Sequence, residues 1–154
     1  MKKFVPKDGT LKEAKDFLNA NWKVGVDCPC CKQLVKLYPT TFSSNMAIFL
    51  ISLVRLYEKN KVPIHYKDCK FSSRNYPHLA KWNLMVTEKS DAADKKTSGY
   101  WTPTQLGIDF ANNKCLLKSK AYLYNNTIFG FGGDDINIEQ ALGNKFNYQK
   151  LMND

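Results

Sequence analysis

The sequence has no long apolar run. A membrane-spanning helix needs about 20 consecutive apolar residues, and the most apolar stretch, residues 46–54, falls well short of that. It reads instead as a buried core helix. A secretory leader is also missing: Met1-Lys2-Lys3 is basic, but Pro6, Lys7 and Asp8 stand where an apolar segment should follow. A cytoplasmic chain is therefore expected, with no membrane partner. Without a secretory signal the five cysteines read as free thiols or metal ligands, not as a disulfide framework. Arginine is scarce, with Arg55 and Arg74 alone against a lysine-rich background. Histidine is scarcer in its consequences: His65 and His78 are the only two, and neither stands in a motif with a serine or cysteine nucleophile. The carboxylates are dispersed, and nothing in their spacing makes two converge. No enzyme is expected. Internal repeats and low-complexity segments are absent.

What is present is a globular composition. The chain has 154 residues, 44% hydrophobic and 13% aromatic, which fits one domain with a real core. The formal charge of +9 suits an anionic partner. The joint richness in Lys, Asn, Ile, Phe and Tyr is equally what an A/T-rich coding sequence gives without selection for charge.

Leu11, Ala14, Phe17, Leu18 and Trp22 recur at helical spacing, with Thr10 as a cap and Glu13 as its capping-box partner. Cys28-Pro29-Cys30-Cys31 reads as a tight turn, and residues 33–38 as a short strand that Pro39 ends. Residues 44–59 form the clearest helix, capped by Ser44 or Asn45 and closed by Asn60. An extended piece at 62–66 follows. Tyr76, Leu79 and Trp82 then form an i, i+3, i+6 stripe on a short helix that Asn75 can cap. Residues 84–102 read as a hairpin with a polar tip, and Thr104 starts a further helix. A second hairpin turns at Asn125-Asn126 and ends at Gly130, Gly132 and Gly133. Short helices near 138–142 and 148–152, the latter capped by Asn147, complete the chain.

The order of core helix, short strand, short helix, hairpin and helix resembles the winged helix-turn-helix superfamily. Two motifs carry the resemblance. Tyr76-x-x-Leu79-x-x-Trp82-Asn83-Leu84-Met85 looks like a recognition helix running into the first wing strand. Tyr100-Trp101-Thr102-Pro103-Thr104-x-x-Gly107-x-x-Phe110 looks like the closing wing strand and last helix. The chain is also similar to small phage and prophage proteins that pair an N-terminal Cys-Pro-x-Cys with such a core and a C-terminal hairpin. The resemblance implies an α+β fold in one domain: an N-terminal helix and Cys turn (1–42), a winged-helix core (43–113) and a hairpin extension (114–154). One departure is the short recognition helix, with only residues 67–71 to supply the helix before it.

As a DNA-binding regulator in a bacterial host cytoplasm, the chain would contact nucleic acid through Lys67, Lys70, Arg74, Asn75, His78, Lys81, Lys89, Lys95 and Lys96. Arg74, His78 and Lys81 lie off the apolar stripe and should face solvent. Lysine supplies point charge to phosphate but lacks the fork that reads guanine, so backbone contacts and salt dependence are expected. The alternative is a solvated lysine-rich face. A runner-up function is a phage-encoded effector that binds a host or defence protein, with Tyr122, Tyr124, Ile128, Phe129 and Phe131 as the docking face, unless these pack on the protein's own core.

Cys28-x-x-Cys31 looks like half a zinc knuckle. His65 and Cys69 could complete a structural zinc site, with Cys115 a further candidate; a symmetric site in a homodimer and a metal-free turn both remain open. A redox pair fits less well, because a strand rather than a helix follows. Gly130 to Asp135 lacks the Lys-Ser or Lys-Thr of a phosphate loop and reads as a tight turn.

Overall fold

Ser43 opens the longest described helix. In this computed structural model, which describes residues 9–70, 75–87, 99–124 and 127–153, the Ser43 hydroxyl accepts from the Met46 N–H at 3.3 Å. Helix α2 (Ser44–Asn60) follows and ends at Lys61, in the left-handed conformation at φ 56°. The helix is thus capped by Ser43, one or two residues before the expected Ser44 or Asn45, and by Lys61, one residue after the expected Asn60. Met46 to Ile51, Leu53 and Val54 are all buried, so nearly every side of its first half needs a cover.

Two units divide the chain by their contacts. One comprises the chain up to Thr40 together with Tyr122–Gly130; the other comprises Thr41–Ala121 and Phe131–Asp154. In the second unit, α2 is covered by strand β4 (Ile64–His65), a 3-10 helix (Tyr76–Trp82), strand β6 (Tyr100–Pro103) and helices α3 (Gln105–Ala111), α4 (Ile138–Leu142) and α5 (Tyr148–Asn153). Strand β5 (Met85–Thr87) pairs antiparallel with β6, Val86 opposite Thr102, and β4 pairs with the other edge of β6, Ile64 opposite Trp101. The sheet order is β4-β6-β5. The expected hairpin at 84–102 is therefore present at its base and gains a third strand.

In the first unit, helix α1 (Leu11–Asn21) begins where Thr10 accepts from the Glu13 N–H. Strands β1 (Val26–Asp27) and β2 (Leu34–Val35) form a two-stranded ribbon around the cysteine turn. Trp22 stacks on Tyr124 at 4.7 Å and meets Phe129 at 4.4 Å.

A second sheet has the order β3-β7-β8, from Tyr38–Thr41, Leu117–Tyr124 and Thr127–Ile136. Two expectations fail here. Pro39 lies inside β3 rather than ending a strand, which an edge position tolerates because no ladder hydrogen bond is required of it. Gly130, Gly132 and Gly133 lie inside β8 rather than ending the hairpin. Gly133 has φ +76°, and a Cβ there would meet Ser119 Oγ at 2.3 Å, so glycine marks a close approach rather than a turn. The Asn125-Asn126 turn lies outside the described residues.

The junction between the 3-10 helix and the sheet is the tightest part of the second unit. Asn83 takes the left-handed conformation, φ 59°, and turns the chain so that Leu84 N–H reaches the Leu79 carbonyl at 3.1 Å. The Leu84 carbonyl accepts from Thr104 N–H at 3.0 Å, and Thr104 caps α3 through the Gly107 N–H. At Gly107 a Cβ would stand 2.0 Å from the Leu84 carbonyl oxygen. Backbone cannot yield as a side chain can, so Gly107→Ala is expected to cost about 2–3 kcal/mol, at the upper end of overpacking penalties. Chemical denaturation of the two proteins measures the difference.

Candidate nucleic-acid interface

The sequence placed the interface on the helix at 76–82 and the segments flanking it. That helix is a 3-10 helix over all seven residues, and its period of three explains which side chains are available. Residues three apart eclipse one another in this geometry. Tyr76, Leu79 and Trp82 form the inner ridge: Leu79 and Trp82 are buried. Tyr76 stacks on Phe49 at 4.7 Å and on Tyr66 at 5.3 Å, and meets Trp101 edge-on. Burial pushes the Tyr76 phenol up. Trp82 donates its indole N–H to the Lys118 carbonyl at 2.9 Å and lies edge-on to Phe42.

Pro77 and Ala80 form the exposed ridge, and His78 and Lys81 the third, half-buried one. The expectation that His78 and Lys81 face solvent freely is thus corrected: stepping by three instead of 3.6 brings them round toward the core. His78 Nδ1 is buried without a hydrogen bond among the described atoms. Its pKa is lowered, first by burial and then by Lys81, so the ring is neutral near pH 7. Asn75 is exposed but does not cap the helix through its side chain; its backbone is already helical, at φ −92° and ψ −9°, and its carbonyl accepts from His78 N–H.

Two lysines precede the helix. Lys67 is exposed on the 3-10 turn Tyr66–Asp68, and its backbone N–H donates to His65 Nδ1 at 3.2 Å. Lys70 is exposed, and its backbone N–H donates to Ser52 Oγ at 3.0 Å. Five of the nine expected contact residues, Lys67, Lys70, Asn75, His78 and Lys81, are among the described residues of the second unit, with Lys67, Lys70 and Asn75 exposed and His78 and Lys81 half-buried. Arg74, Lys89, Lys95 and Lys96 lie outside the described residues.

Of the expected zinc ligands, Cys28 and Cys31 belong to the first unit, and His65 and Cys69 to the second. Among the described residues no three His, Cys, Asp or Glu side chains form a group that could hold a metal ion. Cys69 is buried at 6% exposure, and that burial, with Asp68 nearby, pushes its thiol up to about 12. Burial also raises the Cys115 thiol. Cys28 shifts the other way, because the backbone N–H groups of Cys31 and Cys30 favour its thiolate. The segment from Gly130 to Asp135 is strand, not the expected tight turn; Asp134 N–H donates to Ser119 Oγ, and Asp135 pairs with Lys118 at 3.1 Å.

One feature had no signal in the sequence. Ile48, Ile51, Ser52, Arg55, Leu56, Asp68, Lys70 and Leu151 line an open groove of about 220 Å³. Arg55 donates across it to the Leu151 carbonyl. Its walls come from residues as far apart in the chain as Ile48 and Leu151, which no local pattern reveals. Among the described residues no helix is long and apolar enough to cross a membrane. No protein-family model, curated protein or solved structure matches this chain.

The lowered His78 pKa makes a stability prediction with a definite sign. The unfolded chain binds a proton near the ordinary value of 6.5, and the folded chain binds it only at lower pH. The stabilisation is present above about 6.5 and is lost as pH falls toward the folded value. Thermal melts from about pH 7 to about pH 5 should therefore show a larger loss of Tm for the wild type than for His78→Gln. Parallel curves would remove His78 as the cause.

Proposed function

We propose that this chain is a small DNA-binding regulator of winged helix-turn-helix type. The observation that carries the reading is the order of elements in the second unit. Helix α2, strand β4, the 3-10 helix, the β5–β6 hairpin and α3 follow one another as in that superfamily, and the 3-10 helix passes through Asn83 directly into the first hairpin strand. Lys67 and Lys70 precede the 3-10 helix in the chain and Lys81 lies on it, and the segment between the hairpin strands carries Lys89, Lys95 and Lys96 in the sequence.

The chemistry favours phosphate over base contacts. A recognition helix usually enters the major groove with several exposed side chains. Here the inner ridge is occupied by core packing, the outer ridge is Pro77 and Ala80, and the half-buried ridge holds a neutral His78. Lysines on either side of such a helix supply charge without a planar fork. Affinity then comes mainly from counterion release and falls steeply with salt. Asn75 and His78 are the polar contacts to base or sugar.

Fluorescence anisotropy of a labelled duplex, measured over a series of salt concentrations, tests this. Wild type should bind at low salt, and Arg74→Ala/Lys81→Ala should reduce the slope of log K against log salt by about 2, roughly 0.9 per lost phosphate contact. Equal slopes would place the contacts elsewhere.

A second reading from another class is a phage-type effector that binds a host or defence protein. Phe129 supports it: the residue is 52% exposed beside Tyr124 and Trp22. In that case function would survive the lysine substitutions and be lost in Phe129→Ala. Packing on Trp22 already accounts for part of this aromatic group, which is why DNA binding is preferred.

A further inference from the structure

The groove in the second unit joins an aliphatic lining to a cation that the fold leaves largely unused. Ile48, Ile51, Ser52, Arg55 and Leu56 recur along α2 at spacings of three and four, so they form one stripe of that helix. Leu151 of α5, with Asp68 and Lys70 from the segment after β4, completes the lining. Every one of these residues belongs to the second unit. Ile48 and Ile51 are buried, and Leu56 and Leu151 are half-buried.

Arg55 is half-buried among them. Its guanidinium carries five N–H donors in a rigid fork and keeps its charge at every ordinary pH. One donor meets the Leu151 carbonyl. Among the described residues no carboxylate forms an ion pair with Arg55, and Asp68 does not reach it although it lines the same groove. A cation set against aliphatic side chains has lost part of its hydration, and one neutral carbonyl does not balance its charge. Charges in such places are ordinarily paired.

We propose that this groove binds a small carboxylic acid with a short aliphatic body, its carboxylate on Arg55 and its body along Ile48, Ile51, Leu56 and Leu151. A carboxylate matches the guanidinium fork with two parallel hydrogen bonds. Lys70 adds a second positive charge to the lining and Asp68 a single negative one, so the balance favours an anion. The volume of about 220 Å³ lies below the roughly 300–1,000 Å³ of pockets for drug-sized ligands, which limits the body to a short chain. A bare anion would leave the aliphatic lining wet, and a neutral alcohol would leave the Arg55 charge unmatched. The site does not rest on the DNA reading. Lys70 alone is common to both, so loss of duplex binding leaves this site standing, and the reverse.

The test is an NMR titration of the isotope-labelled full chain with hexanoate as the probe, beside hexanol and acetate. Hexanoate should give saturable shifts at the Ile48, Ser52, Arg55, Leu56 and Leu151 amides and at the Arg55 Nε–H. Hexanol lacks the charge and acetate the chain, and each should bind at least about tenfold more weakly. Arg55→Met keeps the apolar stem and should weaken hexanoate by about tenfold or more. Arg55→Lys keeps the charge without the fork and should fall between Arg55→Met and wild type. Asp68→Asn should tighten hexanoate by about twofold. The amide spectrum of each variant establishes that it folds; if Arg55→Met does not, Arg55→Lys and Asp68→Asn carry the test. Shifts outside the groove, hexanol or acetate binding as tightly as hexanoate, or an affinity unchanged by the Arg55 substitutions would overturn the proposal. Tighter binding of the peptide acetyl-Ala-Ala-Leu, a chain end with the same chemistry, would assign the groove to a protein partner and overturn the small-acid assignment.

Discussion

Helix α2 has almost no polar side across its first half, and the second unit is arranged to answer that. Eight buried residues on one helix need partners on every side, because each large apolar side chain left in water forgoes about 1.5–3 kcal/mol. One sheet, one 3-10 helix and three further α-helices supply them. The 3-10 helix joins this cover through Leu79, Trp82 and the Tyr76–Phe49 stack. Its position is therefore set by the core. What it presents outward is whatever the core does not use.

That division of labour shapes the surface proposed to bind DNA. A seven-residue helix with three positions in the core has four left, and one of these is a proline. The lysines that flank it have no such obligation. Lys67 and Lys70 keep their side chains exposed while their backbone N–H groups bond to His65 and Ser52. Under the proposed function, a surface built this way would attract an anionic polymer more readily than it would read a base sequence. Specificity would then depend on the hairpin, whose base is fixed by the Leu84–Thr104–Gly107 contact.

The sequence made α2, the hairpin strands and the start of α3 legible for local reasons: a continuous apolar run, alternating strands, and a Thr104 cap three residues before Gly107. The i, i+3, i+6 stripe of Tyr76, Leu79 and Trp82 already carried the period of a 3-10 helix, although it was read only as a short helix. That difference decides whether His78 and Lys81 face water. Caps drifted by a residue because Ser43, Ser44 and Asn45 are chemically near-equivalent as acceptors. Pro39 and the glycines of β8 misled more seriously. Both are turn residues by composition, but Pro39 lies on an edge strand whose partner β7 is about eighty positions away, and the glycines lie on an edge strand where Gly133 marks a close approach to Ser119. The groove beside Arg55 and Leu151 was hidden for the same reason.

The measurement that tests the account most directly is an amide-resolved NMR titration of the isotope-labelled chain with a short duplex at low salt. The account predicts shift changes concentrated at Lys67, Lys70, Asn75, His78 and Lys81, with those residues relaxing back as salt is raised. No perturbation at these amides, or perturbation confined to Tyr124 and Phe129, would contradict it.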